Sequence, residues 1–509
     1  MRAGAKAATP SLSPRGMIAQ MLEEAVVHHL RGRLFEARTR YRRILSVNAR
    51  HPDALHLLGV IAHQTGRTED AVSQIGQAIA IKGTVPLYHL NYGVVLKALG
   101  RLDDALAAFD AALRLKPNHA DAHCERGDAL QRLGRIDEAL AAFDAAARLM
   151  PNYADAHANR GTALKDLGRI QEALAAYDVA LRIKPDFAEA HYNRGMALLL
   201  LGHFEDGWQG FEYRWQVVGR PGGKRRHEDS PLWRGEPSDG RTILLWAEQG
   251  FGDSIQFVRY VPMVVQRGWR VVLEVPSPLT RLIVGIAGAT VIPIGESLPA
   301  VDVQCPLLSL PLAHATTAET IPAAGPYLAP RQDVVAMWSN RLPREGLLVG
   351  IVWQGNPAHT NDRNRSFRLE QFSRLAALPG VELISLQKGT GVDQLAELST
   401  AGAIHTLGPD YDGGDFLDTA AVIKGLDLVI GADTAVVHLA GALGRPVWVA
   451  LPAVPDWRWL AEREDSPWYP TMRLFRQTKP GDWDGVFVRI AEELRRFPRM
   501  VNGKLTSAA

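Results

Sequence analysis

Glycine recurs every 34 residues through the first two-fifths of the chain, at Gly59, Gly93, Gly127, Gly161 and Gly195. A second column, Gly66, Gly100, Gly134, Gly168 and Gly202, runs seven residues behind, and a third reads Ala71, Ala105, Ala139 and Ala173. A strict period of this length predicts stacked helix–turn–helix units, each burying its apolar face against its neighbours. In the unit 86–119, Tyr92, Gly93 and Leu96 mark the first helix, Ala105, Phe109 and Ala112 the second, and Pro117 its end. The small residues let two helices approach closely, and an aromatic four residues after the alanine (Phe109, Phe143, Tyr177) fills the gap between neighbours. The second glycine column stops each first helix where a left-handed residue is wanted. Six units fit the pattern: 18–51, 52–85, 86–119, 120–153, 154–187 and 188 to about 220. The first and last are degenerate, as the ends of a stack require. Nothing repeats beyond them.

A chain of 509 residues exceeds what one core supports, so several domains are expected. Its net charge of +2 creates no field that would gather nucleic acid, and no nucleic-acid partner is expected. The two cysteines, Cys124 and Cys305, make no disulfide framework and suit a reducing, cytoplasmic setting. Residues 1–17 are basic and rich in Pro and Ser without an apolar core, which predicts a disordered tail; 499–509 reads as a second tail. No run of about 18 apolar residues predicts a membrane span.

The segment 221–240 is dominated by glycine, proline and charge and reads as a linker, with Lys224, Arg225 and Arg226 as a solvated basic run or an anion contact. From Arg241 short β-rich runs alternate with segments of helical length. Strands are predicted at 242–247, 270–275, 289–294, 347–353, 381–387, 426–431 and 446–451, with helices at 253–267, 277–287, 369–378, 391–401, 415–425 and 434–443. Such alternation predicts parallel sheets. A Pro-rich stretch at 321–332 separates two groups, 241–335 and 345–498, so the expected class is an α-solenoid (18–220) followed by twin Rossmann-like α/β domains facing across a cleft. Ligands in such sheets bind beyond the carboxyl ends of the strands.

Three loops at those ends carry unusual residues. After the first strand, Gly250 and Gly252 allow close approach of backbone to a ligand and Asp253 opens a helix, either as a plain cap or as a reacting carboxylate. The loop 353–367 holds Gly355, Arg363 and Arg365, which read either as an exposed basic loop or as a fork for a diphosphate. At 431–451 a strand ends at Gly431, Asp433 and Thr434 open a helix, and His438 lies one turn in. The N–H groups of Thr434, Ala435 and Val436 would form an anion site, with His438 either structural or beside it. Trp457, Trp459 and Trp468 would stack on a base or sugar or pack the cleft floor, and Asp415 and Asp418 would meet ribose or sugar hydroxyls.

The repeats resemble the tetratricopeptide repeat. Their first helices should line a concave surface with His56, Leu90, Cys124, Ala158 and Tyr192, and one residue on with Leu57, Asn91, Glu125, Asn159 and Asn193. Asn91, Asn159 and Asn193 are similar to the asparagine ladder of O-linked N-acetylglucosamine transferases, which implies a protein or peptide partner in the repeat groove; Leu57 and Glu125 depart from it. Gly252-Asp253, together with the Asp-Thr-x-x-x-His-Leu-Ala-x-Ala-Leu-Gly-x-Pro run at 433–446, resembles the ADP-heptose lipopolysaccharide heptosyltransferase family. That resemblance implies a GT-B fold, a nucleotide-sugar donor, inversion at the anomeric centre, and neither catalytic metal nor cofactor. It makes Asp253 the base toward the acceptor and places Asp433, Thr434, Ala435, Val436 and His438 at the donor; the reading of the loops themselves adds Gly355, Arg363, Arg365 and Trp457 to that side. Ala435 stands where the family usually has glycine. A repeat scaffold carrying an inert domain of the same fold is the alternative.

Overall fold

The computed structural model describes residues 14–217, 225–359, 361–397, 404–413, 415–497, 499–501 and 504–506. The expected tail over 1–13 and Lys224 lie outside these residues. Residues 14–17 are not tail but the start of helix α1 (Pro14–Leu30).

Five helix pairs fill residues 14–187: α1 with α2 (Leu34–Val47), α3 (Pro52–Gln64) with α4 (Thr68–Ile81), α5 (Pro86–Ala98) with α6 (Leu102–Leu115), α7 (Ala120–Arg132) with α8 (Ile136–Leu149), and α9 (Ala154–Asp166) with α10 (Ile170–Ile183). Every first helix ends as its glycine predicts. Gly100 sits at φ +75°, its N–H bonds Lys97 O and the next N–H, of Arg101, reaches back to Leu96 O, both at 3.0 Å. Gly32, Gly66, Gly134, Gly168 and Gly202 share that left-handed geometry. The other glycine column serves packing: a Cβ on Gly93 would lie 2.5 Å from the Phe109 ring, and one on Gly127 2.6 Å from Phe143. The aromatic therefore packs on the glycine of its own pair, and no larger residue fits beneath it.

The chain divides into two compact units after Phe187, one helix pair before the expected end of the solenoid at 220. The sixth pair, α11 (Ala188–Leu200) and α12 (Phe204–Phe211), groups with the α/β region. Its apolar face explains why: Phe204, Trp208 and Phe211 are buried, and Trp208 meets Trp457 and Trp468 edge-on, at 5.2 and 6.4 Å between ring centroids. A chain of apolar rings in this register covers another surface rather than water.

The second unit contains two parallel sheets. In the first, β1 (Thr242–Trp246), β2 (Arg270–Val275), β3 (Ala289–Pro293) and β4 (Val303–Pro306) lie in the order β3-β2-β1-β4. In the second, β5 (Leu347–Val352), β6 (Val381–Ser385), β7 (Ile404–His405), β8 (Leu428–Ala432), β9 (Val447–Leu451) and β10 (Met472–Arg476) lie in the order β10-β9-β8-β5-β6-β7. Counted from β5, that is the 3-2-1-4-5-6 order of a doubly wound dinucleotide-type sheet, whose direction switches between β5 and β8. All residues of β8 and β9 are buried, as both-face cover of a parallel sheet demands. The expected linker 221–240 is partly built in: Trp233 is buried and its N–H bonds Gln304 O beside β4 at 2.9 Å. The expected tail at 499–509 includes a two-stranded antiparallel pair, 499–501 with 504–506.

Candidate functional site

The carboxyl ends of β1, β5 and β8 carry the three loops singled out above. After β1, Gly250 precedes the helix Phe251–Phe257, and Asp253 caps it: its Oδ2 accepts the Gly250 N–H at 2.8 Å. The other carboxylate oxygen, Oδ1, accepts from Arg458 Nη2 at 2.5 Å. Arg458, 205 residues away in sequence, also donates to Asp456 Oδ1 and to Gln256 Oε1, each at 2.8 Å, and its guanidinium lies 4.2 Å from the Trp457 ring centre. Burial would lower the Arg458 pKa, but Asp456 and Asp253 reverse that and raise it, so the cation persists. The Asp253 side chain remains 19% exposed.

After β8 the chain turns at Asp433, and Thr434 caps the helix Ala435–Ala442. The Thr434 carbonyl takes the Val437 N–H at 3.2 Å, which leaves Ala435 and Val436 as the first two helical residues, where backbone N–H groups have no partner within the helix. His438 is buried, stacked on Trp459 with ring centroids 5.2 Å apart. Its Nδ1 faces the Tyr469 hydroxyl at 3.0 Å and its Nε2 faces Asp433 Oδ1 at 3.6 Å. Burial keeps the Tyr469 hydroxyl protonated, able to pair with Nδ1 in either sense, whereas the Asp433 carboxylate only accepts and so favours a proton on Nε2. Burial alone would raise the Asp433 carboxyl; the imidazole first and Arg365 after it outweigh this and hold it near about 2.

The loop after β5 meets this helix start. Arg365 Nη1 donates to the Asp433 carbonyl at 2.9 Å and its Nε to Asp362 Oδ1 at 3.2 Å. Gly355 makes room for it, since a Cβ there would sit 2.5 Å from Asp362 and 2.7 Å from Arg365 Nη2. His359 in the same loop feels Arg365, Asp456, Asp433 and Asp253 together; partial burial first and Arg365 second push its pKa down against those carboxylates. Arg363 is exposed. The two helix starts touch: a Cβ on Gly252 would lie 3.0 Å from His438 Cδ2 and 3.5 Å from Ala435 Cα. Asp253 and the N-terminus at Ala435 thus share one locality at the ends of two parallel sheets.

Residues 31–86, 90–157, 124–186 and 158–207 match the tetratricopeptide-repeat family model, and residues 415–451 match the model of glycosyltransferase family 9 (heptosyltransferase). The chain fuses tetratricopeptide repeats to a heptosyltransferase-like region. The family 9 match runs from the cap of the helix Phe416–Lys424 through β8 and the Asp433–His438 turn to the end of β9. The protein FlbA of Caulobacter vibrioides is 27% identical over 315 residues, 57% of this chain and 52% of FlbA, so the match spans about half the length of that relative. Among solved structures, YrrB, described as a TPR protein with an unusual peptide-binding site, is 25% identical with a TM-score of 0.30, over 33% of this chain and 88% of its own. A thermophilic TPR protein of Thermus thermophilus is also 25% identical with a TM-score of 0.32, over 36% of this chain and 99% of its own.

Within the heptosyltransferase-like region several expected roles need correction. Trp457 is 2% exposed and enclosed by Trp208, Phe211, Phe257, Trp468 and the Arg458 guanidinium, so it offers no face to a base or sugar. Trp459 and Trp468 are likewise buried. Asp415 and Asp418 form a capping box for the helix Phe416–Lys424; Asp415 also pairs with Arg281 at 3.1 Å, and Asp418 accepts from the Trp338 indole at 3.0 Å. In the tetratricopeptide repeats, His56, Leu90, Cys124, Ala158 and Tyr192 are buried rather than facing a groove. Asn91 and Asn159 are half-buried and each reaches back one unit, Asn91 Nδ2 to His56 Nε2 at 2.8 Å and Asn159 Nδ2 to Cys124 Sγ at 3.7 Å; Asn193, in the sixth pair, is half-buried too. Arg458, Asp456, His359 and Glu248 were not singled out from the sequence. The Trp-Arg-Trp run at 457–459 held the one available signal, an arginine between two large rings. Among the described residues no helix is long and apolar enough to cross a membrane.

Proposed function

We propose that the heptosyltransferase-like region transfers a sugar from a nucleotide-sugar donor to an acceptor hydroxyl. The observation that supports this reading is the meeting of Gly252 with Ala435 and His438, which sets the turn carrying Asp253 against the helix start at Ala435. The donor's diphosphate lies at Ala435 and Val436, where helix N–H groups and Arg365 stabilise the charge that grows as the glycosidic bond breaks. His438, held by Tyr469, offers its Nε2 proton beside Asp433 and orders that turn. Asp253 accepts the acceptor's proton through a lone pair not taken by Gly250 or Arg458, and Arg458 keeps its carboxylate aimed. The repeats present the acceptor, a polypeptide in this reading.

The test is nucleotide release from UDP-, GDP-, CMP- and ADP-sugars by the full chain, with and without candidate acceptor proteins. Release from one donor that stops in Asp253→Asn, with donor binding retained, is the expected outcome. A second reading, an inert scaffold that binds protein, draws on Ala435 in place of the family's glycine and on the occupied oxygens of Asp253. It predicts no release from any of the four donors.

A further inference from the structure

Arg214 belongs to the short 3₁₀ turn Glu212–Trp215 that follows α12, and it is 2% exposed. Its fork clasps Glu248: Nε donates to Oε2 and Nη2 to Oε1, each at 2.9 Å. Nη2 also donates to Ser309 Oγ at 2.7 Å, and Nη1 to Glu212 Oε1 at 2.6 Å and to the Phe211 carbonyl at 3.3 Å. The guanidinium lies over Phe211 and Trp215, 4.5 Å from each ring centre. All five N–H donors are therefore matched in a planar geometry that an ammonium cannot reproduce.

Glu248 is itself buried, its side chain 3% exposed, and it stands two residues before Gly250, whose N–H holds the Asp253 carboxylate. A second path starts from the same helix pair. Trp208 packs edge-on against Trp457, Trp457 carries the Arg458 guanidinium on its face, and Arg458 donates to Asp253. Two separate series of contacts thus run from the last repeat to one carboxylate.

We propose that Arg214 is a positioning residue for Asp253, so that the sixth helix pair is a working part of the transfer site and not only the end cap of a solenoid. This rests on the reading of Asp253 as the base given above. A fork of two parallel hydrogen bonds fixes the loop in both distance and angle, which apolar packing of the same volume does not.

The experiment compares Arg214→Met, the double variant Arg214→Met/Glu248→Met and Asp253→Asn with the unaltered full chain. Removing Glu248 as well spares the double variant its most buried unpaired ion; Glu212, 21% exposed and still bonded by Ser309, stays hydrated, so the double variant folds even where the single variant does not. Amide hydrogen exchange over 248–254 is expected to be at least about ten-fold faster in the double variant. Nucleotide release from whichever of the UDP-, GDP-, CMP- and ADP-sugars the unaltered chain turns over is expected to fall about a hundred-fold, with KM little changed. Exchange over 248–254 that stays as in the unaltered chain overturns the proposal. So does turnover that recovers along with the thermal midpoint, because Arg214 would then be structural alone. Unchanged turnover in Asp253→Asn removes the base assignment, while the exchange result still decides whether Arg214 holds the loop.

Discussion

Asp253 illustrates how much one residue's role depends on partners that its neighbours in sequence do not announce. Its place in a Gly-x-Gly-Asp turn at the end of a strand marks it as either a helix cap or a reacting group, and it is a cap in the structure, through Gly250. What adds to the capping role is Arg458, from the far end of the chain. Asp253→Asn keeps the cap's acceptor oxygen but removes the charge, so donor binding should persist while transfer drops by roughly a hundred-fold or more, measured as nucleotide release against donor affinity. Arg458→Met should also cost stability, about 2 kcal/mol, because the half-buried carboxylates of Asp253 and Asp456 would lose their shared cation and keep only backbone N–H partners; urea unfolding checks it. His56 supplies a pH-dependent counterpart in the solenoid. Burial lowers its pKa from 6.5 to about 4, the nearby Asp53 only partly opposing this. The unfolded chain therefore binds a proton that the folded chain refuses between those values, and stability falls as the pH drops from about 6.5 to about 4. The neutral ring also accepts the Asn91 amide, a bond lost on protonation. In His56→Gln the thermal midpoint should vary less across that window; an undiminished slope would place the titration elsewhere.

At the scale of elements, the repeats were legible because both of their special demands are spelled by glycine. One column supplies the left-handed turn, and the other, at Gly93, Gly127 and Gly161, the room for an aromatic ring. Gly93→Ala makes the point: alanine favours a helix by about 1 kcal/mol. The added carbon, however, meets the fully buried Phe109 ring at 2.5 Å. Overpacking costs about 1–3 kcal/mol, so the net change should be destabilising, and Phe109→Leu in the same chain should recover part of it; equilibrium unfolding decides. The long apolar strands β5, β8 and β9 were legible for the same kind of reason, being buried on both faces. β10 was not, because two arginines leave Met-Arg-Leu-Phe-Arg with only three apolar residues despite the turn signals at Pro470 and Pro480-Gly481, and β7 spans only two residues. The helix starts at Gly250 and Thr434 could be read, and the expected cleft sets them facing one another; that Gly252 touches His438 and Ala435 could not be read. Gly252→Ala tests the meeting: its methyl would press on buried His438, so donor affinity should fall several-fold by titration calorimetry while the fold is kept.

For the whole molecule, the sequence divides where the repeat stops, whereas packing divides the chain one helix pair earlier, after Phe187. Periodicity could not show this, since α11 keeps the repeat's glycine at Gly195 and its departure lies in the rings of α12. Trp208, Phe204 and Phe211 face the heptosyltransferase-like region, and the Ala461 N–H bonds the Leu200 carbonyl at 3.0 Å. A chain beginning at Ala188 should therefore fold and melt cooperatively. One beginning at 225 uncovers Trp457 and Trp468 as an apolar patch and should melt several degrees lower and self-associate, as calorimetry and light scattering would show.

A cut point that lies inside a regular array has an evolutionary consequence. Upstream of Ala188, modules of 34 residues can be gained, lost or exchanged in whole steps, and each step changes only the array itself. The packing downstream would carry over untouched, because the helix pair that covers Trp457 and Trp468 travels with it.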